Sequence, residues 1–281
     1  MNLASAVSFT AHKLTAADVP DARRDAELLV SFVTGKDKTF LIAHPEYELS
    51  ATEEKHLDKL SARRLTREPL QYILGRQEFY GLEFIVTPDV LIPRPETEIL
   101  VERAIEYLKP LGNPTFCEIG VGSGCISITV LCSVASAQAI ATDISINAIN
   151  IARANAVKHA VDDRIQFVES DVYSNIPETR FDAILSNPPY VPEIDFDSLQ
   201  PEVRDYEPHL ALTSGDLGLD VITRLTDQAP VYLKPGGMLI FEIGFNQSAA
   251  VSQMFDPRVW RSAEILPDLQ CIPRIAVAVK R

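Results

Sequence analysis

The 281-residue sequence predicts an α/β protein in which a mainly parallel sheet is preceded by a small helical bundle and a β-hairpin. From residue 114 onward, short apolar runs alternate with helical stretches, which favours a parallel sheet with helices on both faces. Residues 1–75 have a helical pattern and no stretch that alternates like a strand. Between these regions, Tyr80-Gly81 separates two short β-prone runs, which is the pattern of a hairpin turn.

The first 75 residues predict a separate helical domain. Apolar side chains recur at helical spacing between Pro20 and Gly35, and these two residues bracket one helix. The apolar positions are Ala22, Ala26, Leu29, Val30 and Val33. A further helix is expected to begin near Ser50, because Glu53 follows it by three residues and would complete a capping box.

Residues 76–95 are expected to form a hairpin linker, and residues 96–281 the sheet domain, which opens with a helix near 96–109. Seven apolar runs are candidate strands: Thr115–Ile119, Gln138–Thr142, Ile165–Val168, Phe181–Ser186, Met238–Ile243, Val259–Leu266 and Ile275–Val279. The last two runs lie close in sequence, so we expect them to pair antiparallel at one edge of the sheet.

The composition is that of a packed protein with an acidic balance. Hydrophobic residues make up 46% and charged residues 23% of the chain, so a core is expected and wholesale disorder is not. The formal net charge is −13 and the pI is about 4.8, which disfavours nonspecific binding to a phosphate backbone. No stable nucleic-acid binding is therefore expected.

The sequence gives no sign of a metal site, a membrane span or a targeting segment. The four cysteines form no C-x-x-C pair and stand in apolar surroundings, which indicates buried free thiols in a reducing cytosol. The five histidines are scattered without ligand spacing, so no metal is expected. The longest apolar run, around residues 125–141, is interrupted by polar residues. We expect a soluble, cytoplasmic protein that does not associate with membranes.

A glycine loop follows the first strand of the predicted sheet in "CEIGVGSGCISI", residues 117–128. Gly120, Gly122 and Gly124 permit positive φ and a close approach of a ligand to the backbone. The dinucleotide fingerprint needs a wider spacing before its third glycine, so a nicotinamide site is not indicated. The pattern resembles the loop with which S-adenosylmethionine-dependent methyltransferases hold the amino-acid part of their cofactor. An ordinary tight turn is the alternative.

Acidic residues end the next two predicted strands. Asp143 lies about 20 residues after the glycine loop and is placed to accept hydrogen bonds from both hydroxyls of a ribose; alternatively, it or Ser145 caps the helix that follows. In the same layout, Asp171 would meet the amino group of an adenine and the Val172 N–H a ring nitrogen, whereas a solvated loop acid is the alternative for Asp171. Successive strand ends share one edge of an open sheet, which favours a nucleoside site.

The fourth strand ends at Asn187-Pro188-Pro189-Tyr190. The nitrogen of a planar NH2 group is a poor nucleophile, so a pocket that methylates it should accept both of its hydrogens. The side-chain oxygen of Asn187 and the carbonyl of Pro188 offer two acceptors, which the fixed φ of proline keeps aimed. Tyr190 offers a face for stacking. A Pro-Pro turn is the structural alternative, and the target stays open among glutamine amides and the amino groups of adenine and guanine.

Longer stretches resemble one family, the HemK-type protein-(glutamine-N5) methyltransferases that act on peptide-chain release factors. The similar stretches, in matching order, are "DARRDAELL" (21–29), "PLQYILG" (69–75), "FYGLEFIVTPDVLIPRPETE" (79–98), "NPPYVPE" (187–193), "YEPHLALTSGDLGLD" (206–220) and "YLKPGGMLIFEIG" (232–244). The resemblance covers nearly the whole chain.

The resemblance implies a seven-stranded, Rossmann-like class I methyltransferase domain preceded by a helical domain that recognises the substrate. It implies methyl transfer from S-adenosyl-L-methionine to the glutamine of a Gly-Gly-Gln loop in release factors, which modulates translation termination. The residues that would contact the cofactor are Gly120, Val121, Gly122, Ser123, Gly124, Asp143, Asp171, Val172 and Asn187. The residues that would hold the glutamine are Asn187, Pro188, Pro189 and Tyr190, of which Asn187, Pro188 and Tyr190 would be catalytic.

One stretch departs from the family. Its members usually have a Gly-x-x-Arg turn before the last strand, whereas "DLQCIPRIAV" keeps Arg274 without a glycine. We expect a changed loop there, remote from the chemistry.

Two expectations concern partners, and three rival functions stay open. Residues 1–75 are expected to recognise an acidic or polar surface of the protein substrate, since arginines gather near their end: Arg63, Arg64, Arg67 and Arg76. The protein is expected to be a monomer. The rivals are methylation of a ribosomal-protein glutamine, methylation of a DNA or RNA base flipped onto Tyr190, and cofactor binding without catalysis.

Overall fold

The computed structural model describes residues 1–281. Its helices, α1 to α11, are Leu3–Ala16, Ala22–Thr34, Lys38–Ala43, Ala51–Leu65, Leu70–Leu74, Thr97–Leu108, Cys125–Ser133, Ile146–Lys158, Pro201–Arg204, Asp220–Tyr232 and Ser248–Gln253. Its strands, β1 to β9, are Arg76–Phe79, Leu82–Ile85, Thr115–Ile119, Gln138–Asp143, Ile165–Glu169, Phe181–Ser186, Leu233–Glu242, Trp260–Pro267 and Pro273–Lys280. Short 3-10 helices span Asp162–Arg164, Glu193–Ser198 and His209–Ala211.

The chain forms two compact units. The helical unit comprises Met1–Gly75 and also Gln200–Tyr206, a segment that the sequence pattern did not assign to it. The sheet unit comprises Arg76–Leu199 and Glu207–Arg281, so the hairpin groups with the sheet.

The helices predicted in the helical unit are confirmed. Helix α2 spans Ala22–Thr34 and ends at Gly35, whose φ of 66° is the left-handed conformation that suits glycine. Helix α4 begins with the predicted capping box, in which the Ser50 hydroxyl accepts from the Glu53 N–H and the Glu53 carboxylate accepts from the Ser50 N–H. The fully or nearly fully buried core includes Leu3, Leu14, Leu29, Val30, Leu57 and Leu60.

Three of the four arginines expected to recognise the substrate are paired with carboxylates of the helical unit itself, and the fourth, Arg76 of the sheet unit, pairs with Glu83. Arg64 is buried and donates from Nε to Asp25 at 2.7 Å and from Nη2 to Glu202 at 3.1 Å. Arg67 binds both oxygens of Glu202, at 2.7 and 2.6 Å, and Arg63 pairs with Glu68. The charges of these arginines are thus paired within the chain, and their recognition of an acidic or polar partner surface stays a prediction.

The sheet has seven strands in the order β5-β4-β3-β6-β7-β9-β8. The first five run parallel, and β9 is antiparallel to both β7 and β8, which confirms the predicted edge pair. Neighbouring residues of β3 point to opposite faces, since Phe116 packs with α6, α7 and α8 while Cys117 packs with α10 and α11. Both faces of the sheet are therefore covered by helices, as expected.

The predicted hairpin forms from β1 and β2 around Tyr80 and Gly81, both of which have positive φ. Its second strand ends at Ile85, whereas the linker was expected to extend to residue 95. The fully buried Asn155 of α8 accepts from the Ile85 N–H at 2.7 Å and donates to the carbonyls of Ile85 and Ser123. One side chain thus connects the hairpin to the glycine loop.

All four cysteines are free thiols. Cys117 is buried, but Cys132 and Cys271 are exposed, so the prediction of four buried thiols is wrong for these two. Cys132 follows Leu131 and Cys271 precedes Ile272 in the sequence, yet Cys132 lies near the end of α7 and Cys271 in the loop before β9. None of the helices combines the length and apolarity needed to cross a bilayer.

Candidate active site

A cavity of about 400 Å³ lies at the carboxyl edge of the parallel strands. Its lining includes residues that end or follow four adjacent strands: Gly120–Ser123, Asp143–Ser145, Ser170–Val172, and Asn187 with Pro189. The chain order reverses at β3, which lies between β4 and β6, and open α/β sheets bind ligands at such a point. The residues predicted to form the site meet here, except that Gly124, Pro188 and Tyr190 do not line the cavity.

The glycine loop has positive φ at all three glycines. A Cβ atom on Gly122 would meet nothing within 4 Å, and one on Gly120 would only touch the carbonyl oxygen of Asn187 at 4.0 Å. Gly124 differs, because its Cβ would lie 2.8 Å from Ile128 Cδ1 and 3.3 Å from Ala152 Cβ. The first two glycines leave room for a ligand, and the third lets helices α7 and α8 pack closely.

Asp143 joins the glycine loop to the end of β4. Its Oδ2 accepts from the Gly122 N–H and its Oδ1 from the Ser145 N–H, both at 2.9 Å. Burial raises the pKa of Asp143, and these N–H groups oppose that rise. The cap of α8 is Ser145, whose hydroxyl accepts from the Ala148 N–H. Each carboxylate oxygen of Asp143 retains a lone pair for a ligand hydroxyl.

The loop after β5 presents one charged and one backbone group to the cavity. Asp171 pairs with Arg224 at 2.8 Å, and both residues line the cavity. Val172 has a φ of 53°, which is rare for a β-branched residue and costs on the order of 1–2 kcal/mol. Its N–H donates to no group in the chain. A strained residue with a free N–H at a cavity wall fits a ligand acceptor.

Glu118 is a further cavity residue, and the sequence patterns did not single it out. It is only 1% exposed; its Oε2 accepts from the Ser127 N–H at 2.9 Å, and its Oε1 has no partner. Burial raises the pKa of Glu118 to about 8, and the nearby Asp143 adds to the rise. A buried carboxyl oxygen without a partner on a cavity wall suits a cationic group of a ligand.

The affinity for S-adenosylmethionine, the cofactor that the sequence resemblance implies, is expected to depend on pH through Glu118, because the amino-acid part of this cofactor carries an ammonium. With a pKa of about 8 in the free protein, this carboxyl is protonated at lower pH and must lose its proton to hold a cation. The affinity should therefore rise by as much as about tenfold per pH unit between pH 6 and 8 and then level off. Calorimetry across this range should show the rise in the wild type and a flat, weaker profile in Glu118→Gln; a rise of equal slope in the variant would contradict the assignment.

Asn187 is oriented by a hydrogen-bonded chain of three residues. Its Nδ2 donates to Thr97 Oγ1 at 3.1 Å, and the Thr97 hydroxyl donates to Glu242 Oε2 at 2.7 Å. Burial raises the pKa of Glu242, which is 2% exposed, while hydrogen bonds from Thr97 and Tyr190 and the charge of Arg274 oppose the rise. The Oδ1 of Asn187 accepts no hydrogen bond within the chain, so this acceptor remains free at the cavity.

Pro188 and Tyr190 are close to this chain of residues but do not line the cavity. Pro188 is buried, and its carbonyl accepts no hydrogen bond within the chain. The Tyr190 hydroxyl donates to Glu242 Oε1 at 2.9 Å. Burial, with the neighbouring Glu242, raises the pKa of Tyr190, so its hydroxyl stays a donor. The stacking role of Tyr190 and the acceptor role of Pro188 remain predictions.

Gln247 fixes the loop that follows Asn187. Its Nε2 donates to the carbonyls of Tyr190, Leu217 and Gly218 at 3.0 to 3.2 Å, and its Oε1 accepts from the Gly244 N–H at 2.7 Å. Gly218 has a φ of 69°, and a Cβ there would lie 2.1 Å from the Tyr190 carbonyl oxygen. The Gln247 side chain thus connects the backbone of the segment after β7 to the backbone of two loop segments after β6.

Gly218→Ala is expected to lower the rate of the methyl transfer that the sequence resemblance implies about three- to tenfold, because the added Cβ must push the Tyr190 carbonyl away. Cofactor affinity should change little, since Gly218 does not line the cavity. Gly81→Ala is the matched control, because Gly81 also has positive φ but its Cβ would meet nothing within 4 Å. Single-turnover kinetics with calorimetry would test this; an equal loss of rate in both variants would remove the special role of Gly218.

The altered loop before β9 is less remote than the sequence suggested. The carbonyl of Arg274 accepts from the Ile243 N–H at 2.8 Å, directly after Glu242. The Arg274 charge also acts on Glu242 and Tyr190 by lowering their pKa values against the dominant effect of burial. The expectation of a loop remote from the chemistry is wrong for Arg274, which the antiparallel pairing of β7 and β9 brings to the site.

The residues of the site that escaped sequence reasoning include Thr97, Glu118, Arg224, Glu242 and Gln247. Glu118 and Glu242 had a usable signal, because each is a single acid within an otherwise apolar strand, in "FCEI" and "LIFE". A buried acid inside a strand needs partners or a function. For Thr97 and Gln247, the neighbouring sequence contains no pattern that would have indicated a role in the site.

The cavity fits S-adenosylmethionine. The unpaired Oε1 of Glu118 suits an ammonium, Asp143 suits ribose hydroxyls, and the free Val172 N–H suits an adenine ring nitrogen. With this sheet order and glycine loop, the fold and the site define a class I S-adenosylmethionine-dependent methyltransferase.

Comparisons with known proteins give the family. Residues 5–75 match the PrmC N-terminal domain and residues 97–200 the methyltransferase small domain. A release factor glutamine methyltransferase of Koribacter versatilis is 42% identical over 281 residues, covering 100% of this chain and 99% of that protein. One of Geobacter sulfurreducens is 42% identical over 89% of this chain and 86% of that protein. The chain belongs to the family of release factor glutamine methyltransferases.

A solved structure agrees at the level of the fold. The Thermus thermophilus 16S rRNA N2 G1207 methyltransferase, in complex with AdoMet and guanosine, matches with a TM-score of 0.54 and 18% identity. The match covers 73% of this chain and 50% of that one.

Proposed function

We propose that this protein methylates the side-chain amide nitrogen (N5) of the glutamine in the Gly-Gly-Gln motif of peptide-chain release factors, with S-adenosylmethionine as the methyl donor. The observation that carries the proposal is the free Oδ1 of Asn187 at the cavity, fixed by Thr97 on its other side. The family supports the choice of methyl acceptor, since the relatives that match 89% to 100% of this chain are named release factor glutamine methyltransferases. The reaction would modulate translation termination in the cytoplasm.

The cofactor would be held by the residues of the cavity, with Asp143 and Val172 toward its nucleoside and the glycine loop and Glu118 toward its amino acid. When bound, S-adenosylmethionine supplies a methyl group made electrophilic by the attached sulfonium. The residues of the chain would align the bound cofactor. Gly122 leaves room for the cofactor to approach the backbone, and Asp143 fixes the loop that contains Gly122.

The acceptor amide would be aligned by two fixed oxygens. Asn187 Oδ1 and the Pro188 carbonyl, both unpaired in the chain, would accept the two N–H hydrogens of the glutamine amide. These hydrogen bonds strengthen as positive charge develops on the nitrogen. Both oxygens of Glu242 are occupied by Thr97 and Tyr190, so Glu242 is not placed to act as a base. The proton of the methylated amide can leave to water.

The helical unit would recognise the body of the release factor. Arg63, Arg64 and Arg67 are paired within the unit, but the unit presents exposed apolar side chains, among them Phe9 and Ile42. Exposed apolar side chains are a common feature of protein-binding surfaces. The acidic balance of the chain supports a protein rather than a nucleic acid as the substrate.

Replacing Ile42, which is 71% exposed, by serine is expected to raise the KM for intact release factor about fivefold and to leave the KM for a short Gly-Gly-Gln peptide unchanged. Such an increase corresponds to roughly 1 kcal/mol of lost contact. Leu269→Ser is the control, since Leu269 is 99% exposed on the sheet unit. Steady-state kinetics with both substrates would measure the effect, and an unchanged KM for intact release factor would count against Ile42 as a contact.

Labelled S-adenosylmethionine tests the proposed function directly. The protein should be incubated separately with a release factor carrying Gly-Gly-Gln, the same factor carrying Gly-Gly-Asn, ribosomes and DNA. Mass spectrometry should find one added methyl on the glutamine side chain of the first and none on the others. Methyl transfer to ribosomes or DNA without methylation of the release factor would contradict the proposed acceptor. It would not contradict the assignment of the protein as a methyltransferase.

A further inference from the structure

We propose that Glu242 is a positioning residue that decides which way the side-chain amide of Asn187 faces. The inference rests on the proposed methylation of an amide at Asn187. That reaction needs an acceptor, Oδ1, toward the substrate, whereas the amide of asparagine has an acceptor and a donor of nearly equal shape. Something in the fold has to select one of the two orientations.

The selecting contacts form a relay of three side chains from three elements. Glu242 ends β7, Thr97 begins α6, and Asn187 follows β6. Glu242 Oε2 accepts from the Thr97 hydroxyl at 2.7 Å, and Thr97 Oγ1 accepts from Asn187 Nδ2 at 3.1 Å. Thr97 and Glu242 are 1% and 2% exposed, so water does not substitute for either partner.

The polarity of the relay is set at its buried end. Both carboxyl oxygens of Glu242 accept from a hydroxyl, Oε2 from Thr97 and Oε1 from Tyr190, so the single hydroxyl hydrogen of Thr97 is directed to Glu242. The Thr97 oxygen is then left with lone pairs only and has to accept from Asn187. Asn187 must therefore turn its NH2 group toward Thr97 and its oxygen toward the cavity. Tyr190 donates to the other carboxylate oxygen, which leaves Glu242 an acceptor on both sides.

Glu242→Gln reverses this polarity with almost no change of shape. The glutamine oxygen can still accept from Tyr190, and its NH2 group would donate to Thr97 Oγ1. The Thr97 hydroxyl would then donate to Asn187 Oδ1, and Asn187 would turn its NH2 group toward the substrate amide. Every buried polar group in the relay keeps a partner, so the variant is expected to fold.

The expected result for Glu242→Gln is a single-turnover rate on release factor at least about tenfold lower than that of the wild type. Cofactor affinity should stay within about twofold, because Glu242 does not line the cavity. Glu106→Gln, an exposed carboxylate on α6, is the control for loss of one negative charge. Equal rates for Glu242→Gln and the wild type would overturn the proposal.

A second substitution distinguishes positioning from general support of the fold. In the Glu242→Gln background, Asn187→Asp gives the Thr97 hydroxyl an acceptor and still presents an oxygen to the substrate. In the wild-type background the same change makes two carboxylates compete for one hydroxyl hydrogen. The double variant should therefore be at least about threefold faster than the slower of the two single variants. A double variant with the product of the two single losses would overturn the relay.

The orientation of Asn187 can also be measured without turnover. In NMR spectra of protein labelled with ¹⁵N-asparagine, the Asn187 NH2 group should exchange slowly with water in the wild type, because it donates to a buried hydroxyl. In Glu242→Gln it should face the cavity and exchange faster. Unchanged exchange would overturn the proposal, whereas an inactive wild type with the expected exchange behaviour would overturn only the proposed substrate.

Discussion

Replacing Asn187 by alanine is expected to lower the single-turnover rate of methyl transfer to release factor by at least about tenfold and as much as about a hundredfold. A tenfold loss corresponds to 1.36 kcal/mol of transition-state stabilisation. Removal of one preorganised polar group at a developing charge costs about that much or more in other enzymes. The loss arises because Oδ1 is the acceptor that Thr97 keeps directed at the cavity. Single-turnover kinetics with a release factor carrying Gly-Gly-Gln would measure it.

The control for Asn187→Ala is the affinity for S-adenosylmethionine, which should fall much less than the rate. Asn187→Asp keeps an oxygen toward the cavity and adds a negative charge near the sulfonium, so it should bind the cofactor at least as well as the wild type. Its rate should still be reduced, because Thr97 would lose its donor from position 187. A loss of rate in Asn187→Ala fully explained by cofactor affinity would reassign Asn187 to cofactor binding.

Asp143→Ala is expected to weaken S-adenosylmethionine binding by about tenfold to about a hundredfold. A hydrogen bond that involves a charged group contributes about 1.5–3 kcal/mol, so the net loss of one such bond to a ribose hydroxyl accounts for this range. The variant also releases the Gly122 N–H, which Asp143 holds at 2.9 Å. Calorimetry with the cofactor and with its demethylated product would give the affinities.

Asp163→Ala is a matched control, since Asp163 is an exposed aspartate of the same sheet unit. Asp143→Asn should fall between the two, because one side-chain oxygen remains to accept from a hydroxyl or from the loop. Undiminished affinity in Asp143→Ala would remove Asp143 from the site.

The fold could be predicted closely where the sequence has a local period or a local cap. The parallel strands Thr115–Ile119 and Phe181–Ser186 were predicted to the residue, because a buried parallel strand is a short apolar run. Strand β7 begins five residues before the predicted start at Met238. The prediction missed this part of the strand because lysine, proline and glycine, which occupy residues 234–237, are not favoured in strands. Of the five added residues, only Leu233 pairs with β6, opposite Phe181, and the register then shifts so that Met238 lies opposite Ala183.

The site could be predicted only as far as it is continuous in sequence. The glycine loop, Asp143 and the Asn187 motif all stand directly after strands, so the topology of a parallel sheet brings them together. Thr97 lies 90 positions from Asn187, and Glu242 lies 52 positions from Tyr190. Such contacts depend on the order of β6 and β7 in the sheet and on the position of α6. Neither can be predicted from the periodicity of apolar residues in the sequence. The same holds for Arg64 and its distant partner Glu202.

The segment Gln200–Tyr206 prevents the two units from being separated as two continuous stretches of sequence. The backbone passes between the two units at residues 75–76, 199–200 and 206–207, so no single cut separates them. A protein truncated before residue 77 would retain Glu202 but lose both of its arginine partners, Arg64 and Arg67. The helical unit is therefore not continuous in sequence, and a transfer of this unit to another methyltransferase would have to include the heptapeptide Gln200–Tyr206 as a separate insertion.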